Sequence, residues 1–225
     1  MTVVIAAIGN DLIVVGADNR GVIKSGFIDD RIDNDATKKI FEVSKHVLIT
    51  IAGNGDIGTQ LIEKFKTKLK KGMDGATQIA ENFAAFCKNE IYKNGYVPTK
   101  SIPDLDFIVT GFDKPKKEYN LPLIYTLDSA TGFIMGRRLD YAIIGRYFIP
   151  AYLFKKEFRR NSDLQTLPKL VAKAIYETSQ CDSTVSPNMH ICIVEKNGIR
   201  ELLSSVIKSL YSTWEELNLK EIIEN

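Results

Sequence analysis

The sequence is poor in cysteine and histidine, nearly balanced in charge and without a long apolar run, and each shortage removes a class of protein. Three cysteines, Cys87, Cys181 and Cys192, stand in 225 residues without C-x-x-C spacing, and an odd count argues against a secreted disulfide framework. A reducing cytoplasm is the simpler setting. The two histidines, His46 and His190, lie where apolar strand-like runs begin, and no G-x-S-x-G elbow exists, so a serine triad lacks both its base and its turn. A net charge of +2 is too mild to imply a nucleic-acid partner, and the lysine-rich "KFKTKLKK" reads as a solvated helix face. The longest apolar runs, "DLIVVGAD" and "YAIIGRYFIPAYLF", fall well short of the ~20 residues a membrane span needs. The N-terminus enters strand-like "TVVIAAIG" directly, which argues against a signal peptide. No linker, low-complexity segment or fixed-period repeat appears, so a single domain over residues 1–225 is expected.

What the chain does contain is an ordinary hydrophobic share, 44%, arranged in a readable order. Val3 to Ile8 and Leu12 to Ala17 flank the turn-like "GND" and read as a hairpin. After a polar stretch from Asp18 to Thr37, "KKIFEV" and "HVLITIA" read as a second strand pair. Helical spacing follows over residues 54 to 71 and 76 to 94, broken by "KGMDG". The runs "DFIVTGFD", "PLIYTLDS", "GFIMGR" and "DYAIIG" read as strands, followed by helices over about 147 to 158 and 164 to 179. A last strand pair, "MHICIVEK" and "GIRELL", precedes a short amphipathic helix. Strands, two helices, strands, two helices, strands is not the alternation of a doubly wound fold. It predicts an α+β protein with two antiparallel sheets, each covered by a helix pair, in four layers.

Within this order, "HVLITIAGNGDIGTQL" places Gly53, Gly55 and Gly58 at G-x-G-x-x-G spacing. A dinucleotide site needs that turn inside a strand-helix-strand unit, with an acid some 20 residues on at a second strand's end. Here a helix follows the helix, and Asp74 and Glu81 have no strand end to occupy. Two other readings stand. Either glycine simply relieves crowding in a tight strand-to-helix turn, or the strand end exposes backbone N–H groups able to hold an oxyanion. An oxyanion implies a nucleophile.

Thr2 is the informative candidate. Once Met1 is removed, its free α-amine lies near its own hydroxyl and, titrating near pH 8, is neutral often enough to act as the base. Such a site needs a cation nearby, a carboxylate to fix that cation and an N–H donor for the oxyanion. At this point the stretches "TVVIAAIGNDLIVVGADNR", "KKIFEVSKHVLITIAGNGDIGTQL", "PLIYTLDSATGF" and "CDSTVSPNMHICIV" together resemble a proteasome β subunit or the related bacterial two-component peptidase. The resemblance runs from residue 2 to about 200, and it implies the αββα sandwich of the N-terminal-nucleophile hydrolases. By that resemblance Thr2 matches the nucleophile and base, Asp18 the acid that holds the catalytic lysine, and Lys39 that lysine. Gly53 matches the oxyanion donor and Asp182 the acid that orients the threonine. Ile51 falls at the base of the pocket for the side chain preceding the cleaved bond, where an aliphatic residue favours apolar side chains. Gly55 and Gly58 become helix-entry glycines.

There are departures from the pattern. The segment between Asp18 and Lys39 is about five residues longer than the family's, and its "SGFIDDRIDNDAT" carries four aspartates without the glycine-turn spacing of a calcium loop. Arg146 stands where the family has a serine beside the threonine, Val185 where it has a second serine, with Ser186 one further, and Val22 where it has a substrate-contacting threonine. The reading implied is a threonine endopeptidase without metal or cofactor, acting on polypeptides in a closed ring of identical subunits and working with an ATP-dependent unfoldase. An inactive assembly subunit and a small-substrate amidase of the same fold are the alternatives. Apolar residues of the first helix pair, among them Ile57, Leu61, Phe65, Phe83 and Phe86, are expected to serve partly the sheet and partly a neighbouring subunit.

Overall fold

A computed structural model of the chain describes residues 2–23, 31–70, 72–93, 103–113 and 121–211. Its first hairpin, β1 (Val3–Ile8) and β2 (Leu12–Asp18), is buried at every position, which a one-sided sheet would not allow. Alternation explains it. Val3, Ile5, Ala7, Leu12 and Val14 point into one apolar cluster, and Val4, Ala6, Ile8, Ile13, Val15 and Ala17 into another. These strands therefore lie in an inner layer, with a second sheet on one face and helices on the other.

The polar stretch after β2 holds a small two-stranded sheet that its composition does not announce, β3 (Gly21–Ile23) with β4 (Arg31–Asn34). Residues 24–30 of the aspartate-rich segment lie outside the described residues. Then come β5 (Ile40–Ser44), β6 (Val47–Gly53), α1 (Gly55–Lys68), α2 (Ala76–Lys88) and a π-helical turn (Asn89–Lys93). Next are β7 (Leu105–Phe112), β8 (Pro122–Asp128), β9 (Gly136–Arg138) and β10 (Tyr141–Gly145). α3 (Phe148–Glu157), α4 (Leu167–Cys181), β11 (Met189–Glu195) and β12 (Gly198–Glu201) follow, and residues 204–211 are helical. The expected strand over "GFIMGR" is thus a correction: only Gly136–Arg138 is strand. The Asp128 side chain accepts from the Thr131 N–H at 2.7 Å and hydroxyl at 2.9 Å, closing a turn, and Phe133 adopts φ 60°.

One sheet has the order β10-β1-β2-β11-β12 and the other β5-β6-β7-β8-β9, both antiparallel throughout. Three apolar clusters fill the gaps between layers. The first lies between the β5–β9 sheet and α1/α2, the second between the β1 sheet and α3/α4, and the third between the two sheets. This is the four-layer αββα arrangement read from the element order. Leu61, Phe65 and Phe83 are buried in the first cluster, with Ile57 and Phe86 packed against it. All five serve the chain's own core. The most exposed aromatics among the described residues are elsewhere, at Tyr147, Phe148 and Tyr152 on and before α3, which are 49%, 74% and 64% exposed. Among the described residues no helix is long and apolar enough to cross a membrane.

Candidate active site

The site forms where the starts of β1 and β5 meet the ends of β2, β6 and β10. Asp18 ends β2 fully buried, a costly place for a carboxylate unless its oxygens are occupied. They are. Oδ1 accepts from the Val3 N–H at 2.9 Å and from Lys39 Nζ at 2.8 Å, and Oδ2 from the N–H groups of Arg20 at 3.0 Å and Ser186 at 3.3 Å. One carboxylate oxygen therefore holds the lysine and the residue following Thr2 together. Burial pushes the Lys39 ammonium below its usual range, and the Asp18 charge opposes that shift. Lys38, one residue earlier, is exposed and lies over the Phe41 ring at 5.3 Å. Neighbouring strand side chains take opposite faces, so only one lysine of the pair can reach Asp18.

Gly53 closes β6 at φ 94°, a left-handed conformation that favours glycine, and a Cβ there would lie 2.2 Å from the Asp104 carbonyl. The direction of its N–H follows from the ladder. Ile51 N–H donates to Lys39 O at 3.1 Å, and Asn54 N–H donates to Asp104 O at 2.7 Å on the opposite edge. N–H groups alternate along a strand, so that of Gly53 shares the edge of Ile51 and points past the start of β5, on the lysine side. Asn54 then caps α1, its Oδ1 accepting the Ile57 N–H at 3.1 Å. The G-x-G-x-x-G spacing is a strand end, a cap and a close contact. At Gly58 a Cβ would fall 1.4 Å from Ile51 Cδ1, so α1 presses onto Ile51, which is buried in the helix-side cluster.

Gly145 brings the two sheets to Thr2. Its φ is 79°, and a Cβ would meet Thr2 O at 2.0 Å and Ala52 Cβ at 3.5 Å, so this glycine sits between the threonine and the strand end carrying Gly53. The next N–H, that of Arg146, donates to Thr2 O at 2.7 Å. Its guanidinium Nε lies 2.6 Å from Asp182 Oδ2 but makes no directed hydrogen bond, so that contact is charge attraction. Asp182 ends α4, and its Oδ1 accepts from the Thr184 N–H at 2.9 Å and hydroxyl at 2.5 Å. Partial burial would raise its carboxyl, but these hydrogen bonds and Arg146 hold it below the usual range. With both oxygens engaged, Asp182 meets Arg146 and Thr184.

The chain belongs to the proteasome subunit family. The family model described as proteasome subunit matches residues 2–194. A comparison with curated proteins finds no match. In this proteasome-family chain Val185, which the resemblance sets at the family's second serine, is buried in the helix-side core, and Ser186 is turned the other way, its N–H on Asp18 and its hydroxyl accepting the Asn188 N–H at 3.1 Å. Val22 sits in the small β3–β4 sheet opposite Ile32. Met1 lies outside the described residues.

Two features escape a reading of the sequence. Arg20 forms a two-pronged pair with Asp35, at 2.7 and 2.8 Å, and donates to Ser183 O at 2.7 Å, so it ties the end of β2 to the loop that carries Asp182. "ADNR" contains the signal for it, but its partner 15 residues away does not stand out among the aspartates. The second is Asp106, on the inter-sheet face opposite Asp128. Burial first, then Asp104 and Asp128, push its carboxyl up to about 6. A rival nucleophile also falls away. Cys192 Sγ lies 3.5 Å from His190 Nε2, itself 2.8 Å from Glu201, but burial pushes the thiol up to about 12 and keeps it un-ionised.

Proposed function

We propose that this proteasome-family chain is a threonine peptidase whose nucleophile is Thr2 after removal of Met1. The observation that carries the reading is the buried Asp18 oxygen shared between Lys39 Nζ and the Val3 N–H. It fixes a cation beside the residue that follows the nucleophile, in a place where water cannot screen it. The Thr2 amine takes the proton of its own Oγ as Oγ attacks the substrate carbonyl. Lys39, held by Asp18, lowers the energy of the forming alkoxide, and the Gly53 N–H donates a hydrogen bond to the developing oxyanion. The C–N bond then breaks, the proton passes from the amine to the leaving nitrogen, and water cleaves the resulting ester. Asp182 orients the amine, and Ile51 forms the floor of the pocket for the preceding, apolar side chain.

An electrophile selective for N-terminal threonine, with the intact mass, tests this. One methionine should be lost and one label gained, and Thr2→Ala should abolish both labelling and peptide hydrolysis while leaving the fold intact. Wild-type turnover by Thr2→Ala would sink the mechanism. A non-catalytic assembly role has one observation in its favour, the engagement of both Asp182 oxygens by Thr184 and Arg146. Retention of Met1 and absence of labelling would establish it.

Assembly into a closed homo-oligomeric ring of at least six subunits, most simply a stacked double ring served by an ATP-dependent unfoldase, completes the proposal. The exposed Tyr147, Phe148 and Tyr152 supply an apolar face for such contacts. Light scattering after size exclusion decides it, and a mass near the 25.2 kDa of one chain defeats it.

A further inference from the structure

We infer that Arg146 selects substrates whose departing amine carries a carboxylate close by, either an acidic residue directly after the cleaved bond or the free α-carboxylate of a chain end. The inference rests on the peptidase reading and deepens it.

The geometry assigns the two halves of a substrate to different sheets. The acyl half must lie over the Gly53 N–H and Ile51, both on β6. The leaving nitrogen must lie over the Thr2 amine, because that amine returns the proton to it. Arg146 belongs to the amine side: its N–H holds the Thr2 carbonyl at 2.7 Å, and its head is drawn to Asp182, the acid assigned to orienting that amine. Arg146 is therefore next to whatever follows the cleaved bond. Its side chain is 38% exposed although Nε itself is buried, so a ligand would meet the terminal amino groups of the guanidinium.

The chemistry gives the sign. A guanidinium presents five N–H donors in a planar fork suited to a carboxylate, and only Nε, buried against Asp182, is withdrawn from a ligand. Asp182 cannot satisfy that fork, because its Oδ1 is taken by the Thr184 N–H and hydroxyl. It anchors the arginine without saturating it. A basic leaving residue would meet the same cation and be disfavoured. A serine, the residue the family resemblance places here, could do neither.

The test uses the full chain, with Met1 loss checked by mass and Thr2 labelling measured in parallel. Matched peptides share one acyl half and carry Asp, Asn, Ala or Lys after the cleaved bond. A second set has a single leaving residue ending in a free carboxylate or an amide. Asp over Asn, or free acid over amide, should be favoured about tenfold in kcat/KM, the range of one charge-assisted hydrogen bond. The preference should shrink between about 0.1 and about 1 M salt. Arg146→Gln should bring the ratio close to one, and Arg146→Lys, keeping charge without the fork, should retain part of it. The two peptide sets tell an internal acid from a chain end. Equal cleavage of the Asp and Asn peptides, or a ratio unchanged in Arg146→Gln, overturns the inference while the peptidase reading stands. Failure to label Thr2 or cut any peptide overturns the peptidase reading instead. If Arg146→Gln does not fold, the wild-type ratios and their salt dependence decide.

Discussion

Two ion pairs flank Thr2, and they differ in water. Lys39 and Asp18 meet at 2.8 Å with side chains 4% and 0% exposed, whereas Arg146 and Asp182 meet at 2.6 Å with side chains 38% and 22% exposed. The dry pair sits between strand ends and has no room to move: its carboxylate takes two further N–H groups besides those of Val3 and Lys39. The wet pair joins a strand end to a loop, and its arginine keeps unused donors. A fixed charge suits a step that is the same for every substrate, such as stabilising an alkoxide. An adjustable one suits the part of the substrate that varies.

The largest effect should come from breaking the dry pair. Lys39→Ala leaves a buried carboxylate without its cation, a change that typically costs about 3–5 kcal/mol, although the three N–H donors on Asp18 soften it. Denaturation midpoints should fall accordingly, and hydrolysis should drop by several orders of magnitude. Lys39→Arg should rescue little, since a planar fork does not fit a space filled by a compact ammonium. Lys38→Ala, on the exposed face, should change either quantity only slightly. If Lys38→Ala proved the damaging variant, the assignment of the dry pair to catalysis would be wrong.

Next in size is the seam that the two pairs share. At Gly145 a methyl group would stand 2.0 Å from the Thr2 carbonyl, a backbone atom that cannot yield without moving β1. The positive φ adds its own strain of about 1 kcal/mol. Gly145→Ala should therefore cost about 2–3 kcal/mol in stability, within the range of overpacking, and should abolish labelling of Thr2. A folded Gly145→Ala chain with intact labelling would show that Thr2 does not depend on this contact.

The dry pair was legible through the family resemblance, which matched Asp18 and Lys39 to an acid and a lysine; periodicity supplied only the strand that ends at Asp18 and the strand that follows the two lysines. The strand-end glycine was legible for the same reason, and the four layers followed from element order. The wet pair was less so. Arg146 could be seen to replace a serine, but that its head turns to Asp182 depends on two segments 36 positions apart, joined only by the sheet and α4. The β3–β4 sheet was hidden because its strands are only three and four residues long and β4 is polar. The Arg20–Asp35 clamp was hidden among four aspartates. "GFIMGR" misled in the other direction, its apolar residues outweighing the Asp128–Thr131 turn that opens it.

A third carboxylate sharpens the comparison by having burial without a cation beside it among the described residues. Asp106 is half-buried and raised to about 6, against an ordinary value of 3.8. Between these values the folded state binds the proton that the unfolded state has released, so stability falls as pH rises through the window. Above it the charge is a net cost. The shift corresponds to a few kcal/mol at face value, but solvent at this half-exposed site reduces it to about 1–2 kcal/mol. Asp106→Asn should raise the denaturation midpoint at pH 7 and leave it nearly unchanged at pH 4. An equal gain at both pH values would mean that packing, not charge, explains it.

The smallest stability effect should come from the wet pair itself. Arg146→Gln removes an ion pair that solvent already screens, worth about 0–1 kcal/mol, so the melting temperature should move by no more than about 2–4 °C in a chain of this length, compared at equal protomer concentration. Its direction with pH is fixed by Asp182, whose lowered carboxyl stabilises the fold above the unfolded-state value and loses that contribution as pH falls through the folded one. Without the guanidinium that acid-side loss should begin at higher pH. A large loss of stability at neutral pH in Arg146→Gln would place the wet pair beside the dry one as a structural element, and the division between a fixed charge and a selecting one would fail.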